Sequence, residues 1–196
     1  MIFSATKAPV FNRGIPPDSF LTTLVNWGKS APASLFSYNK EPNDIYNSIK
    51  PELGPWESML HRRAAMLETM RVLAGFESSW DWTEGVDITN KSSNTPETTE
   101  AGIFQISYNS RNFGADLREM LYAEDIQHGK QFQALTKSDH SFALEYCARL
   151  MRHTTKHNGP LYKNRSIFPQ KLQGEAHSIY PWLSRDSVLE LMELIS

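Results

Sequence analysis

The sequence lacks the features of several protein classes. Its only cysteine is Cys147, so an intrachain disulfide is excluded. No run of residues approaches the ~20 apolar residues that a helix needs to span a bilayer. Lysine and arginine (20) nearly balance aspartate and glutamate (22), which leaves a formal net charge of -2. Nucleic-acid-binding domains usually carry a clustered basic face. We therefore expect no transmembrane segment and no nucleic-acid partner.

Motifs for cofactors and activated nucleophiles are also missing. There is no G-x-S-x-G elbow, no phosphate-binding glycine-rich loop and no C-x-x-C pair. His153 and His157 have the i, i+4 spacing of a zinc-binding helix, but the glutamate of H-E-x-x-H is absent and no third ligand is evident. We therefore expect neither a metal nor a cofactor, and Cys147 is interpreted as a buried structural thiol.

Length and composition are typical of one globular domain. The chain has 196 residues, 40% of them hydrophobic and 21% charged, which is sufficient for a real hydrophobic core. Proline punctuates the N-terminal part, so residues 1–50 are interpreted as an extension that packs on the domain. The catalytic core is expected within residues 55–160.

Apolar periodicity predicts a mainly α fold. The strongest prediction is a central helix between Glu57 and Phe76 with a broad apolar face. Arg62, Glu68 and Thr69 fall on the polar remainder of that helix, whereas Arg63 falls inside the apolar arc. Further helices are predicted at 18–28, 44–49, 114–126 and 139–153 and from Ser184 onward, with Asp18 as an N-cap and Gly28 as a stop.

The segment 81–101 differs from the rest of the chain, because it is rich in acids, threonine and serine and poor in apolar residues. It favours an irregular β-hairpin beside the central helix, and a plain loop is the alternative. The overall prediction is a helical domain with a small β-hairpin or irregular loop region.

Two short segments carry the chemistry. Residues 75–80 read Gly-Phe-Glu-Ser-Ser-Trp at the end of the central helix, and residues 101–107 read Ala-Gly-Ile-Phe-Gln-Ile-Ser. Burial among aromatic side chains raises the pKa of a carboxyl group, because the charged form loses its hydration. Glu77 would then stay protonated near neutral pH, as a general acid for glycoside cleavage requires. The alternative is a solvated carboxylate at the end of an amphipathic helix.

These two segments resemble the lysozyme-like muramidases, in particular the goose-type lysozymes and the soluble lytic transglycosylases. In those families a catalytic Glu in an E-S-x-[FW] context ends a helix, and a G-[LIF]-[MF]-Q-[IV] segment follows. The resemblance covers residues 55–160 and implies an α+β lysozyme-like fold. It also implies a glycosidase that cleaves peptidoglycan between N-acetylmuramic acid and N-acetylglucosamine, with Glu77 as the acid.

A second carboxylate is expected in the acid-rich segment, because glycosidases commonly use two carboxyl groups. Glu100 directly precedes the Ala-Gly turn and is the first choice, followed by Asp87; either is alternatively a solvated loop acid. If no carboxylate is in range, the muramic acid's own hydroxyl would attack and give an anhydro product, as in lytic transglycosylases.

The remaining candidates are substrate-binding residues, and each has a structural alternative. The resemblance implies that Ser78 and Gln105 line the sugar cleft, although Gln105 is alternatively buried and satisfied by backbone. Trp80 and Trp82 offer aromatic faces for a sugar, and the alternative is that one of them packs in the core. Tyr108 is a further candidate for the cleft, with a packing role as its alternative. Asn158 resembles the asparagine of the Y-N-A-G segment of lytic transglycosylases, or simply belongs to an Asn-Gly-Pro turn.

Expectations for location and partners follow from the resemblance. The partner is the peptidoglycan glycan strand, and an inhibitor or immunity protein is possible for a bacteriolytic, antibacterial effector. The first ten residues show neither a basic region nor a continuous apolar region of a signal peptide. An enzyme of the periplasmic or extracellular wall would then be delivered by phage lysis or a secretion system; a leader missing from the sequence as given is the alternative. Rival functions are a chitinase or chitosanase and a catalytically silent glycan-binding domain.

Overall fold

A computed structural model describes residues 1–85, 94–162 and 178–196 and shows a mainly helical protein, which confirms the predicted fold class. Short 3₁₀ turns lie between the longer helices, the most relevant at Tyr108–Phe113 and Gly159–Leu161. The helices in the described ranges are α1 (Asp18–Ser30), α2 (Ile45–Leu53), α3 (Met59–Ser78), α4 (Ala115–Ala123), α5 (Gly129–Ser138), α6 (His140–His153) and α7 (Arg185–Ile195).

Helix α3 lies at the centre and is buried on all sides. It packs against α1 and α7, and every residue from Ala64 to Phe76 is buried. The residues of the predicted polar remainder do not face solvent, since Glu68 and Thr69 are 0% exposed and Arg62 is 7% exposed. A helix buried all round is normally apolar. Here the polar side chains are accommodated because each one finds a buried partner.

A buried ion pair connects three segments around α3. Arg71 donates from Nε and Nη2 to the carboxylate of Glu68 at 2.7 and 2.8 Å. Arg71 Nη1 also donates to the carbonyl of Ala8, and the backbone N–H of Ser184 donates to Glu68 Oε1. A buried pair of this kind is tolerated only when its remaining hydrogen-bonding groups are satisfied. The N-terminal segment, α3 and the start of α7 are thereby tied together.

Helix α1 runs past Gly28 to Ser30, so the predicted stop at Gly28 is wrong. A Cβ atom on Gly28 would lie 2.5 Å from Cδ1 of Leu67 on α3. Glycine at this position therefore permits the close approach of two helices rather than ending one. Asp18 is the first helical residue rather than a side-chain cap.

Most other helices match the predicted positions, and their N-caps explain where they begin. Asp139 Oδ1 accepts from the N–H of Phe142 at the start of α6, and Ser184 Oγ accepts from the N–H of Ser187 at the start of α7.

Helix α5 is absent from the prediction, because its sequence has few apolar residues. It is held by Phe132, which is fully buried among aromatic rings of neighbouring segments.

The region beside α3 is irregular in its described part. Ala101 and Ile106 form an isolated antiparallel bridge with two 3.3 Å hydrogen bonds, and the described ranges contain no longer strand. Residues 86–93, where most of a hairpin would fall, lie outside the described residues. The described part fits the irregular-loop form of the prediction.

The N-terminal residues belong to the same hydrophobic core as α3 and α6, because Phe20, Leu21, Leu24 and Val25 on α1 are buried in it. The first residues are attached to α7 through the carboxylate of Glu190, which accepts from backbone and hydroxyl groups of Ser4 and Thr6 at 2.6–2.7 Å. Burial opposes the charged form of Glu190, but these hydrogen bonds outweigh it and lower its pKa to about 2. Among the described helices, none has the length and apolar character required to cross a membrane.

Candidate functional site

Glu77 is the penultimate residue of α3, at a point where the chain turns sharply. Ser79 and Trp80 both have positive φ angles, of 54° and 64°. The N–H of Ser79 donates to the carbonyl of Gly75, and the N–H of Trp80 donates to that of Ala74, so the helix end is closed by backbone hydrogen bonds. Glu77 itself is half-buried at this end.

Trp80 folds back onto α3 and fixes the turn. Its indole Nε1 donates to the carbonyl of Arg71 at 2.9 Å, and its ring lies where a Cβ atom on residue 75 would come within 2.7 Å. Gly75 is therefore required for this packing. Trp80 is 4% exposed, so its ring packs in the core and offers no open face to a sugar. Trp82, two residues further, is half-buried and stacks on His140 at 3.8 Å.

The 101–106 turn is docked on the end of α3 by Ser78. Ser78 Oγ donates to the carbonyl of Ile103 at 2.9 Å and is buried. Gln105 has a φ of 45°, and its amide donates to the carbonyls of Gly102 and Gly85 at 2.9 and 3.2 Å. Ser78 and Gln105 thus hold the turn through backbone contacts, as the structural alternative for Gln105 anticipated.

Asn158 brings a third segment to Glu77. It follows α6, is 4% exposed, and donates from Nδ2 to Glu77 Oε1 at 3.2 Å and to the carbonyl of Phe104 at 2.8 Å. The end of α3, the 101–106 turn and the segment after α6 therefore meet at one carboxyl group. Asn158 contacts the candidate acid directly, which makes it a positioning residue.

The surroundings of Glu77 favour its protonated form. Burial raises its pKa to about 8; the hydrogen bond from Asn158 lowers it, the negative charge of Glu100 raises it and the positive charge of Arg13 lowers it. Cys147 of α6 is fully buried, and burial together with the charge of Glu77 raises the pKa of its thiol. A fully solvated carboxylate at Glu77 does not fit this geometry.

Of the two candidates for a second carboxylate, Glu100 is half-buried immediately before the 101–106 turn. Its charge acts on Glu77, and it lines an open cavity of about 440 Å³. Asp87 lies outside the described residues. Glu77 is therefore a carboxyl with a raised pKa, and the negative charge of Glu100 contributes to that rise. Carboxyl pairs whose environments separate their pKa values are typical of acid–base sites.

Tyr108 is committed to packing. Its hydroxyl donates to the carbonyl of Gln127 at 2.6 Å, and the guanidinium of Arg111 lies 3.6 Å from its ring centroid. It is 6% exposed and lines a second cavity, of about 400 Å³, with Arg111 and Arg118. The packing alternative for Tyr108 therefore fits the structure.

Sequence reasoning missed Arg13, whose charge acts on Glu77. Arg13 is exposed in a loop shaped by positive φ angles at Phe11 (42°) and Gly14 (87°). The ring of Phe11 stacks on that of Phe76 at 6.0 Å, so this loop lies beside the end of α3. No local motif identifies such a residue, because its proximity to Glu77 depends on how the N-terminal loop packs on α3.

The candidate histidine pair does not converge on a metal. His153 Nε2 is 2.7 Å from Asp116 Oδ1, whereas the ring of His157 lies edge-on to that of Phe113. Within residues 1–85, 94–162 and 178–196, no group of three or more histidine, cysteine or acidic side chains is arranged to hold a metal ion.

Comparison with known protein families, curated proteins and solved structures gives no match to this chain. Functional interpretation therefore depends on the chemistry around Glu77 and on the resemblance of residues 75–80 and 101–107 to the lysozyme-like motifs. The chemistry around Glu77 and the two motif segments belong to one site, because Ser78 and Asn158 bring these segments into contact.

Proposed function

We propose that the protein is a lysozyme-like muramidase that hydrolyses the bond between N-acetylmuramic acid and N-acetylglucosamine in peptidoglycan. The observation that supports this most strongly is the half-buried carboxyl of Glu77, whose pKa is raised to about 8. A carboxyl of this kind holds its proton at neutral pH and can donate it to the glycosidic oxygen as the bond breaks. No cofactor takes part.

Asn158 fixes which oxygen of Glu77 carries the proton. Because its amide donates to Oε1, that oxygen acts as an acceptor, and the proton of the neutral carboxyl belongs on Oε2. A proton held at a fixed position is more effective in general acid catalysis, since the donor is already oriented towards its acceptor.

Glu100 would activate the attacking water in an inverting hydrolysis, with Asp87 as the second candidate. The negative charge of Glu100 also raises the pKa of Glu77, so one residue would serve both halves of the reaction. Attack by the muramic acid hydroxyl instead of water would make the protein a lytic transglycosylase with the same acid.

Mass analysis of digested peptidoglycan tests the proposal. Wild-type protein should release fragments with reducing N-acetylmuramic acid, and Glu77→Gln should be slower by about a thousandfold, because the amide cannot donate a proton in its place. Glu119→Gln changes an exposed acid on α4 and is the matched control, with wild-type products expected.

Other outcomes identify the alternatives. Anhydro ends would show the transglycosylase reaction, and cleavage of chitin oligomers without cleavage of peptidoglycan would show a chitinase. Binding without any cleavage would show a silent glycan-binding domain. Wild-type turnover in a folded Glu77→Gln protein would refute the role of Glu77.

A further inference from the structure

The cavity that Glu100 lines has a lining suited to an amino sugar. Its volume of about 440 Å³ lies in the range of small-ligand pockets. We call it the Lys156 cavity. Besides Glu100, its lining consists of Thr98, Ser107, Asn109, Asn112, Phe113, Lys156 and His157.

Two residues that line the Lys156 cavity connect it to the candidate acid. Glu100 lines the cavity, and its charge acts on Glu77. His157 also lines the cavity, and the next residue, Asn158, donates to Glu77 Oε1. A glycan cleaved beside Glu77 would therefore place a neighbouring sugar in this cavity.

The neutral part of the lining matches the ring of an N-acetylated sugar. Phe113 is 48% exposed, so it offers an apolar face. Asn109 uses its Oδ1 to accept from Ser107 Oγ, which leaves its amide N–H groups without a partner among the described residues. Burial lowers the pKa of His157 to about 4, so this ring is neutral at pH 7. Its Nε2 is buried without a hydrogen-bond partner within the described ranges, and such a group is normally satisfied by a bound molecule or water.

The lining carries charges of both signs, Glu100 on the side of Glu77 and Lys156, and it is Lys156 that points to an anionic substituent. Lys156 is exposed, and its ammonium group forms no salt bridge with any residue of the described segments. A chitin-like strand is neutral and gives this cation nothing to pair with. A muramoyl strand carries a carboxylate on its lactyl ether or, when that group is amide-linked, on the attached peptide.

We propose that the Lys156 cavity is the subsite for a carboxylate-bearing amino sugar, and that Lys156 determines specificity for anionic over neutral glycans. This inference rests on the proposed glycan-cleaving function. It deepens that function, because the two carboxyl groups at Glu77 and Glu100 do not by themselves select one amino-sugar polymer over another.

The test compares kcat/KM for wild type, Lys156→Gln and Lys156→Arg on three substrates. These are intact peptidoglycan strands, strands whose peptides have been removed to free the lactyl carboxylate, and neutral N-acetylglucosamine oligomers. Lys156→Gln should lose about three- to tenfold on the anionic strands and nothing on the neutral oligomer, as expected for one partly solvated charge pair. Lys156→Arg should keep the activity, and the loss should shrink as salt rises.

A control variant and the comparison of substrates make the outcome specific. Lys130→Gln removes an exposed lysine on α5 that does not line the cavity, and it should behave as wild type on every substrate. A loss confined to intact strands would place the recognised carboxylate on the peptide, whereas a loss on stripped strands would place it on the lactyl ether. Equal loss on neutral and anionic substrates, or no loss at all, overturns the proposal.

Equilibrium binding separates this inference from the proposed function. Dissociation constants for stripped strands and neutral oligomers are measured in Glu77→Gln protein, with and without Lys156→Gln, so that no turnover is needed. Tighter binding of the anionic strand that depends on Lys156 supports the subsite even if the wild-type protein cleaves nothing. Absence of that preference refutes the subsite even if the protein is an active muramidase.

Discussion

At the scale of single residues, the raised pKa of Glu77 suits the proposed general acid but carries a cost in stability. Its pKa is about 8 in the folded protein against 4.5 for the free side chain. Between these values the folded state binds a proton that the unfolded state has released, so the free energy of unfolding falls as pH rises. The stabilisation by this bound proton is complete below about pH 4.5 and is lost as pH rises through about 8.

We therefore expect Glu77→Gln to be more stable than wild type at pH 8.5, by about 1–3 kcal/mol. Gln keeps an acceptor for the Asn158 amide and never ionises, so the cost of burying a charge disappears. Urea unfolding at pH 8.5 and pH 4 measures this, and the difference should nearly vanish at pH 4. A difference that is the same at both pH values would contradict the prediction.

The charges around Glu77 should set the alkaline limit of activity. Activity should fall near pH 8, because the acid must hold its proton. Arg13→Gln removes a positive charge that lowers the pKa of Glu77, so the alkaline limb of kcat/KM should move to higher pH. Arg13→Lys keeps the charge and serves as control. An unmoved limb in Arg13→Gln would show that this charge does not act on the proposed acid, Glu77.

The sequence predicted which residues lie near Glu77 more reliably than what each of them does there. The sequence marked Glu77 and Asn158, and the structure brings them into contact at 3.2 Å. It marked Ser78, Trp80 and Gln105 as well, but their polar atoms bind backbone carbonyls. Such backbone partners come from distant segments, and no local pattern reveals which carbonyl a side chain will meet.

At the scale of elements, α3 shows what periodicity can and cannot predict. Its position along the chain was predicted well, since Met59–Ser78 nearly coincides with the predicted helix. Its polar face was not, because burial of Glu68 depends on Arg71 of the same helix and on Ser184 at the start of α7. Periodicity shows how apolar and polar residues are distributed around the helix axis. The burial of a side chain also depends on which other elements pack against the helix.

The turn at the end of α3 should depend on Gly75. A Cβ there would lie 2.7 Å from the rigid ring of Trp80, so Gly75→Ala should displace the turn, lower stability by about 1–3 kcal/mol and lower activity. Gly28→Ala is a matched control, since its Cβ would meet the flexible end of Leu67 away from the turn. Denaturant unfolding and glycan cleavage are measured for both variants. Activity loss only in Gly75→Ala would support the role of the turn, and equal loss in both would contradict it.

At the scale of the whole molecule, the N-terminal part is held to α3 and α7, and it carries a charge that acts on Glu77. Glu190 on α7 accepts hydrogen bonds from Ser4 and Thr6, and Arg71 donates to the carbonyl of Ala8. These contacts lead the chain to the loop that carries Arg13 beside Glu77. Frequent prolines favoured an extension that packs on the domain, and composition alone does not show that side chains of α1 enter the core. The contacts that place this segment join residues from opposite ends of the chain, beyond the reach of any local pattern.

The site of action should decide whether the protein is toxic to bacteria. Peptidoglycan lies beyond the inner membrane, so expression in the bacterial cytoplasm should be tolerated, whereas the same chain with an added periplasmic signal should lyse the cells. Glu77→Gln with that signal is the matched control and should restore growth, because it keeps the fold and removes the proton donor. Culture density and microscopy give the readout, with periplasmic protein verified by fractionation. Equal growth of wild type and Glu77→Gln strains, with both proteins folded in the periplasm, would count against a wall-degrading enzyme. Lysis by both would indicate membrane or folding stress unrelated to Glu77.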